Sequence, residues 1–158
     1  MPKIVDHEAH SQDLAQRAAA YFSDHGYAGT SMRKVAGYLG LSKSALYHYF
    51  PTKEDLFLAS TKQVMAAVDH DLVDPDASEE ENMARLTDAL RMDFATEMAL
   101  IFDYLRGKSR DEIAGDEAMQ VAMDTYRKTV TSIVGEKRAE ETLARLLGML
   151  MLEYLSGR

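Results

Sequence analysis

LSKSALYHYFPTKEDLF, residues 41–57, sets five apolar side chains, Leu41, Leu46, Phe50, Leu56 and Phe57, among two lysines, two serines, a histidine and two tyrosines. Ser42 is a good N-cap, and Pro51 pushes Phe50 out of the α region, so the stretch predicts a very short helix that ends before the proline. Upstream, Ser31 caps a second short helix carrying Met32, Val35, Ala36 and Leu39, and Gly40 ends it. Helices of about eight residues are unstable alone in water, so tertiary packing must hold both. Two brief helices set steeply about the turn Gly40-Leu41-Ser42 describe a helix-turn-helix. Val35, Ala36 and Leu39 face inward from the first, Leu41 plugs the corner, and Leu46 with Tyr49 or Phe50 faces inward from the second.

That assignment leaves Lys43, Ser44, Ala45, Tyr47 and His48 on the open side of the second helix. Lysine can read guanine O6 and N7, serine several bases, and a small alanine the thymine methyl. Thr30, Arg33, Tyr47 and Lys53 sit at the edges, where they would bond phosphates, and helix N-terminal amides add to them. With the caps Ser31 and Ser42 they complete the candidate DNA-binding set. The same spacing also suits a solvated surface helix in a generic bundle.

The rest of the chain reads as helix. No stretch alternates with period 2, and Asn-Gly or Asp-Gly hairpin signals are absent. A first helix runs from about His7 to His25 with Leu14, Ala18 and Phe22 on one face and Gly26 as its stop. Thr52 opens a fourth, with Asp55 as an imperfect capping-box partner. After Pro75, Ser78 and Glu81 form a proper box before a long helix, Glu79 to Leu105, striped with Met83, Leu86, Leu90, Phe94, Met98, Ile101 and Leu105. RGKSRDEIAGD, between Gly107 and Gly115, reads as a loop or strained turn. A sixth helix carries Met119, Met123, Tyr126, Val130 and Ile133, and a seventh, from Glu136 to Leu155, is apolar on more than one face. The expectation is an all-α protein of about seven helices.

Composition narrows the function classes. The 158 residues contain no cysteine, which excludes disulfides, a cysteine nucleophile and a zinc finger, and fits a reducing cytoplasm. MPKIVDHEAHSQDLAQ is too polar for a secretory leader, and the densest apolar run, LLGMLML at 146–152, is far short of the roughly 18–20 residues of a membrane span. A soluble cytoplasmic protein is expected, with no membrane partner. The net charge of −8 is unevenly placed: residues 1–62 hold seven Lys/Arg and six Asp/Glu, residues 63–158 eleven and twenty. A near-neutral head on an acidic body can bind DNA if its cations gather on one face. Catalysis has little to stand on. His7 and His10 lie at i, i+3 and Asp69-His70-Asp71 looks metal-like, yet neither has a third ligand at a recognised spacing. Neither a phosphate loop nor a nucleophile elbow is found. No enzyme, metal or cofactor is expected.

The run from Gly26 through Thr30-Ser31, and then VAGYLGLSKSALYHYFPTKEDLF, resembles the TetR family of bacterial transcriptional regulators. The likeness spans roughly residues 8–60 and rests on Leu46, Tyr47 and Phe50 followed by Lys53, Glu54 and Leu56. It implies an N-terminal three-helix helix-turn-helix DNA-binding domain, residues 1–51, and a C-terminal helical regulatory and dimerisation domain, residues 52–158, linked by the fourth helix. It maps phosphate contacts onto Thr30, Tyr47 and Lys53, and base reading onto Arg33, Lys43, Ser44, Ala45 and His48. Family members usually carry a longer body, so either this body is compact or a last helix is missing.

Eight of the ten methionines lie beyond residue 62. Methionine adapts to varied apolar ligands, so Met98, Phe102, Met123 and Tyr126 are expected to line a pocket for a small hydrophobic molecule, although each also suits a core position. The surplus apolar surface of the last helix is expected to form a homodimer through Leu143, Leu147, Leu150, Met151 and Tyr154, and a two-fold dimer would read a palindromic double-stranded DNA operator. The resulting expectation is a ligand-responsive repressor, released from its operator by the hydrophobic molecule. The alternative is a TetR-like DNA-binding protein controlled by a protein partner.

Overall fold

The computed structural model describes residues 6–157, apart from the side chains of residues 69–71. The Asp69-His70-Asp71 cluster therefore lies outside the described side chains. Eight helices run through the described residues, which contain no strand: α1 His7–His25, α2 Met32–Leu39, α3 Lys43–Tyr49, α4 Lys53–Asp71, α5 Glu79–Leu105, α6 Arg110–Ala114, α7 Glu117–Val134 and α8 Glu136–Leu155.

Local chemistry sets most of these boundaries. Asp6, Ser31, Ser42, Thr52, Ser78, Ser109 and Asp116 each accept hydrogen bonds from amides in the first turn of the helix that follows. Thr52 with Asp55 completes its capping box, as Ser78 does with Glu81. Gly40 adopts the left-handed conformation, φ 73°, that a side chain would resist. The Leu41 amide then donates back to the Ala36 carbonyl at 2.9 Å, which folds Leu41 onto the core and turns the chain into α3.

The segment expected to be a loop is instead a helix. Arg110–Ala114 forms one turn and a little more, held at its start by Ser109 and Glu112 as a reciprocal capping box. Gly107 and Gly115 bracket it without preventing it, and the helix count rises to eight.

The core has two parts. The first gathers Leu14, Ala18, Phe22, Val35, Leu39, Leu46, Phe50, Leu56 and Phe57 from α1–α4, and it also takes in Tyr104 of α5 and Ala118 of α7. The second lies among α5, α7 and α8 and contains Leu86, Leu90, Phe94, Val130, Leu143, Leu146 and Leu150. Helix α4 packs along α1 at one level and α7 at another, so it joins both layers.

Aromatic rings fill the joint between them. Phe57 stacks on Tyr104 with centroids 4.1 Å apart, and Tyr27 meets both edge-on at 5.2 and 4.8 Å. Phe22 closes the group 5.2 Å from Phe57. The Tyr104 hydroxyl donates to buried Asp116 at 2.7 Å, and Lys108 sits 3.2 Å from the same carboxylate oxygen. Burial works against the Asp116 charge, but the donors Tyr104, Met119 N–H and Lys108 outweigh it and hold the carboxyl below its usual range. For Tyr104, burial and then the Asp116 bond push the phenol up, so it stays a donor.

Phe22 is 1 % exposed. Phe22→Ala should cost about 3–5 kcal/mol, seen as a lower urea midpoint with an unchanged slope.

Candidate nucleic-acid interface

Helix α3 buries Leu46 completely and Phe50 follows it into the core, while Tyr49 is half-covered. The opposite side carries Lys43, Ser44, Tyr47 and His48, all exposed, with Ala45 half-buried between them. Lys43 Nζ lies 5.6 Å from the centre of the Tyr47 ring, and the Ser42 and Ser44 hydroxyls are 3.3 Å apart. Ser42 is occupied as the cap of α3 through the Ala45 amide, and Ser31 caps α2 through the Lys34 amide. Arg33 is exposed on the first turn of α2. At α3, Ser42, Lys43, Ser44, Tyr47 and His48 form one solvent-facing strip of donors, rings and a cation, and Arg33 adds an exposed cation on α2, a set suited to a groove lined with acceptors and phosphates.

Two members of the expected set turn the other way. Thr30 is 3 % exposed, and its hydroxyl donates to the Gly26 carbonyl at 2.6 Å, which closes the turn between α1 and α2. Lys53 Nζ donates to the carbonyls of Tyr27 and Thr30, each at 3.0 Å, and rests 4.0 Å from the centre of the Tyr27 ring. Phosphate contact by the buried Thr30 is corrected to an internal role, and the half-buried Lys53 is engaged by the same turn: both satisfy carbonyls that no helix ladder reaches.

Sequence reasoning passed over three neighbours. His7 of α1 stacks on Tyr49 at 4.6 Å and meets His48 edge-on at 5.6 Å, so the start of α1 lies beside the α3 strip. His10 also leans on Tyr49, and among the described residues no three His, Cys, Asp or Glu side chains converge on a metal position. Tyr38, 51 % exposed on α2, packs against Tyr21. The third is Tyr27, whose ring and carbonyl Lys53 grips and whose hydroxyl donates to Glu54 at 2.9 Å. Burial first and this bond second raise the Tyr27 pKa. A tyrosine beside two glycines in GYAG was the only sequence signal for it.

In the body, Met98, Met123 and Tyr126 are half-buried against the second core between α5 and α7. Phe102 is 59 % exposed and points away, because the inward side of that turn is taken by Tyr104 and Leu105; its place in the pocket is corrected. Glu97 lies one residue before Met98, and its pKa is pushed up to about 7 by burial and then by Asp93. Burial, followed by the Glu97 charge, raises Tyr126 in turn. Among the clefts open to the surface are two that border α5. One, about 770 Å³, lies between α5 and α8 against Arg91, Met149, Leu152 and Glu153; the other, about 370 Å³, lies between α1 and α5 against Ser23, Gly26, Ala99 and Asp103.

The expected dimer residues also divide. Leu143 and Leu150 are buried within the protomer, and Leu147 and Met151 lean on the same core. Leu143 and Leu150 are therefore corrected to core: the inner stripe of α8 belongs to α5 and α7. The apolar residues left outward are Met149, Leu152, Tyr154 and Leu155, with Met92 of α5. Among the described residues no helix is long and apolar enough to cross a membrane.

Comparison with known proteins bears on the first four helices. Residues 14–60 match the model for bacterial regulatory proteins of the tetR family. The HTH-type transcriptional regulator PksA of Bacillus subtilis (strain 168) is 37% identical over 68 residues, 43% of this chain and 33% of that protein. The HTH-type transcriptional repressor AcnR of Corynebacterium diphtheriae is 36% identical over 52 residues, 33% of this chain and 27% of that one. The chain thus spans about a third of the length of the curated relatives it matches. The crystal structure of the transcriptional regulator FadR from Bacillus subtilis in complex with stearoyl-CoA superposes with a TM-score of 0.63 at 17% identity, covering 94% of this chain and 88% of that one. At that identity the likeness shows the fold.

Lys43→Ala should weaken DNA binding and lower the slope of log affinity against log salt by about one, measured by anisotropy. Lys53→Ala should leave that slope unchanged and lower the melting temperature instead. Glu97 gives a pH test. An acid whose folded pKa is raised holds its proton more tightly folded than unfolded, so stability falls as pH climbs from its ordinary 4.5 to about 7. Glu97→Gln should therefore stabilise by about 1–3 kcal/mol at pH 8, with the gain vanishing near pH 4, in urea titrations at the two pH values.

Proposed function

We propose that this chain, whose residues 14–60 form the helix-turn-helix head of the tetR family of bacterial regulatory proteins, is a DNA-binding transcriptional regulator. The observation that carries the reading is the two-sided α3: Leu46 anchored in the core, and Lys43, Ser44, Tyr47 and His48 presented together on the open face. Residues 1–51 read double-stranded DNA, and residues 52–158 sense and pair. Arg33, Ala45 and the amides at the starts of α2 and α3 complete the contact surface.

The protein acts as a homodimer in the cytoplasm. Two copies meet through Met92, Met149, Leu152 and Leu155, whose exposure is otherwise costly, and the paired heads enter half-sites about one helical turn, roughly 34–36 Å, apart. The regulator is a repressor. A small hydrophobic molecule bound between α5 and α7, at Met98, Met123 and Tyr126, moves α4 and sets the heads at the wrong separation. Such a ligand must prefer one of the two arrangements, because equal affinity for both would shift nothing. A second reading is control by a protein partner in place of the small molecule.

The test is a titration of a labelled duplex from upstream of the protein's own gene, followed by anisotropy with scrambled competitor at two salt concentrations. Tight binding that survives competitor, weakens steeply with salt and is released by a hydrophobic compound is expected, from a protein of dimeric mass. Failure to bind any DNA at low salt would overturn the reading. Release by no compound in a thermal-shift and release screen would leave the partner-controlled form.

A further inference from the structure

The turn between α1 and α2 is held from outside the head. The amides of Tyr27 and Ala28 both donate to Asp103 Oδ2, at 2.8 and 2.7 Å, across more than seventy residues of sequence. These are short, charge-assisted bonds to a single oxygen. Arg106 lies 4.0 Å from the other oxygen of the same carboxylate. Gly26 makes the approach possible: its φ of 75° exposes the two amides, and a Cβ there would stand 3.1 Å from Asp103 Oδ2. On the far side of the turn, Lys53 takes up the carbonyls of Tyr27 and Thr30. One short turn is thus gripped at its amides by α5 and at its carbonyls by α4.

We propose that Asp103 is a positioning residue for DNA reading: its carboxylate straps the α1–α2 turn to the last turns of α5 and holds the head at the angle DNA binding requires. The inference rests on the regulator function proposed above and adds a second path to it. The head has one covalent attachment to the body, through α4. The rings of Tyr27, Phe57 and Tyr104 already limit rotation about it, and the two amide bonds to Asp103 add the directional constraint that ring packing lacks and fix the angle. A head free to rotate occupies the competent angle only part of the time, and apparent affinity drops by that fraction. Asp103 also stands five residues beyond Met98 on the same helix, so a displacement of α5 at the proposed ligand position reaches the head directly through the strap.

The experiment combines amide exchange with DNA affinity. Wild type, Asp103→Ala and Asp103→Asn are compared by NMR hydrogen exchange at Tyr27 and Ala28, and by anisotropy on a duplex that wild type enriches from a random pool. In Asp103→Ala the two amides should exchange at least tenfold faster. Affinity for the selected duplex should fall about tenfold, with low-salt affinity for scrambled DNA within twofold and helix content unchanged. Asp103→Asn keeps the shape and one acceptor oxygen and should fall between; it decides the matter if the alanine variant does not fold. Selected-duplex affinity within twofold of wild type, despite freely exchanging amides, would overturn the strap, as would slow exchange without the carboxylate. A wild type that enriches no sequence would instead overturn the regulator reading.

Discussion

The face of Phe57 lies on the face of Tyr104, 4.1 Å between ring centres, and the two helical layers are built outward from that pair. Phe57 comes from the first turns of α4 and Tyr104 from the end of α5. Tyr27 and Phe22 complete the group from the head. Rings bury much area with few rotatable bonds, so a joint of this kind is both strong and stiff. Its polar rim is satisfied as well: the Tyr104 hydroxyl serves Asp116, and the Tyr27 hydroxyl serves Glu54. The head therefore does not own its core. Residues of α5 and α7 finish it, and the angle of α3 is a property of the whole molecule.

The open side of α3 shows how a polar face is placed on so small an element. Seven residues cannot make a stable helix in isolation. Leu46 and Phe50 fix α3 to the core, Ser42 ties its start, and the Gly40 turn sets its direction. With those constraints met from one side, the other side carries no packing duty. Lysine, serine, tyrosine and histidine can stand there without cost to the fold, because each keeps its polar end in water until a partner arrives. The acidic excess falls in residues 63–158, beyond the head and the first turns of α4.

Much of this was legible in the sequence, for a local reason. Ser31, Ser42, Thr52 and Ser78 cap their helices through bonds to residues three positions on, so the starts of α2–α5 could be read directly. Helix α6 was missed although Ser109 and Glu112 carry the same signal; two flanking glycines and a length of five residues outweighed it. What escaped was set by distant partners. Thr30 and Lys53 carry groups suited to phosphate, and only the folded turn shows that the Gly26, Tyr27 and Thr30 carbonyls claim them. Asp103 looks like any surface acid until Gly26 is brought against it. In α8 the sequence offers more apolar stripes than one neighbour needs, and the packing of α5 and α7 decides that Leu143 and Leu150 go inside while Leu152 and Leu155 stay out.

The length of α4 has a geometric consequence. Its nineteen residues, at 1.5 Å each, make a rod of about 28 Å that packs along both α1 and α7. A tilt of about 5° about the body end moves the head end by roughly 2.5 Å, simply as arc length along a rod of that size. In the two-fold pair proposed above the displacements would oppose each other, and the separation of the heads would change by about 5 Å, more than the 3.4 Å step from one base pair to the next. Under the function proposed above, a rearrangement smaller than a side-chain width deep in the body would be converted into a mismatch with the pitch of the double helix.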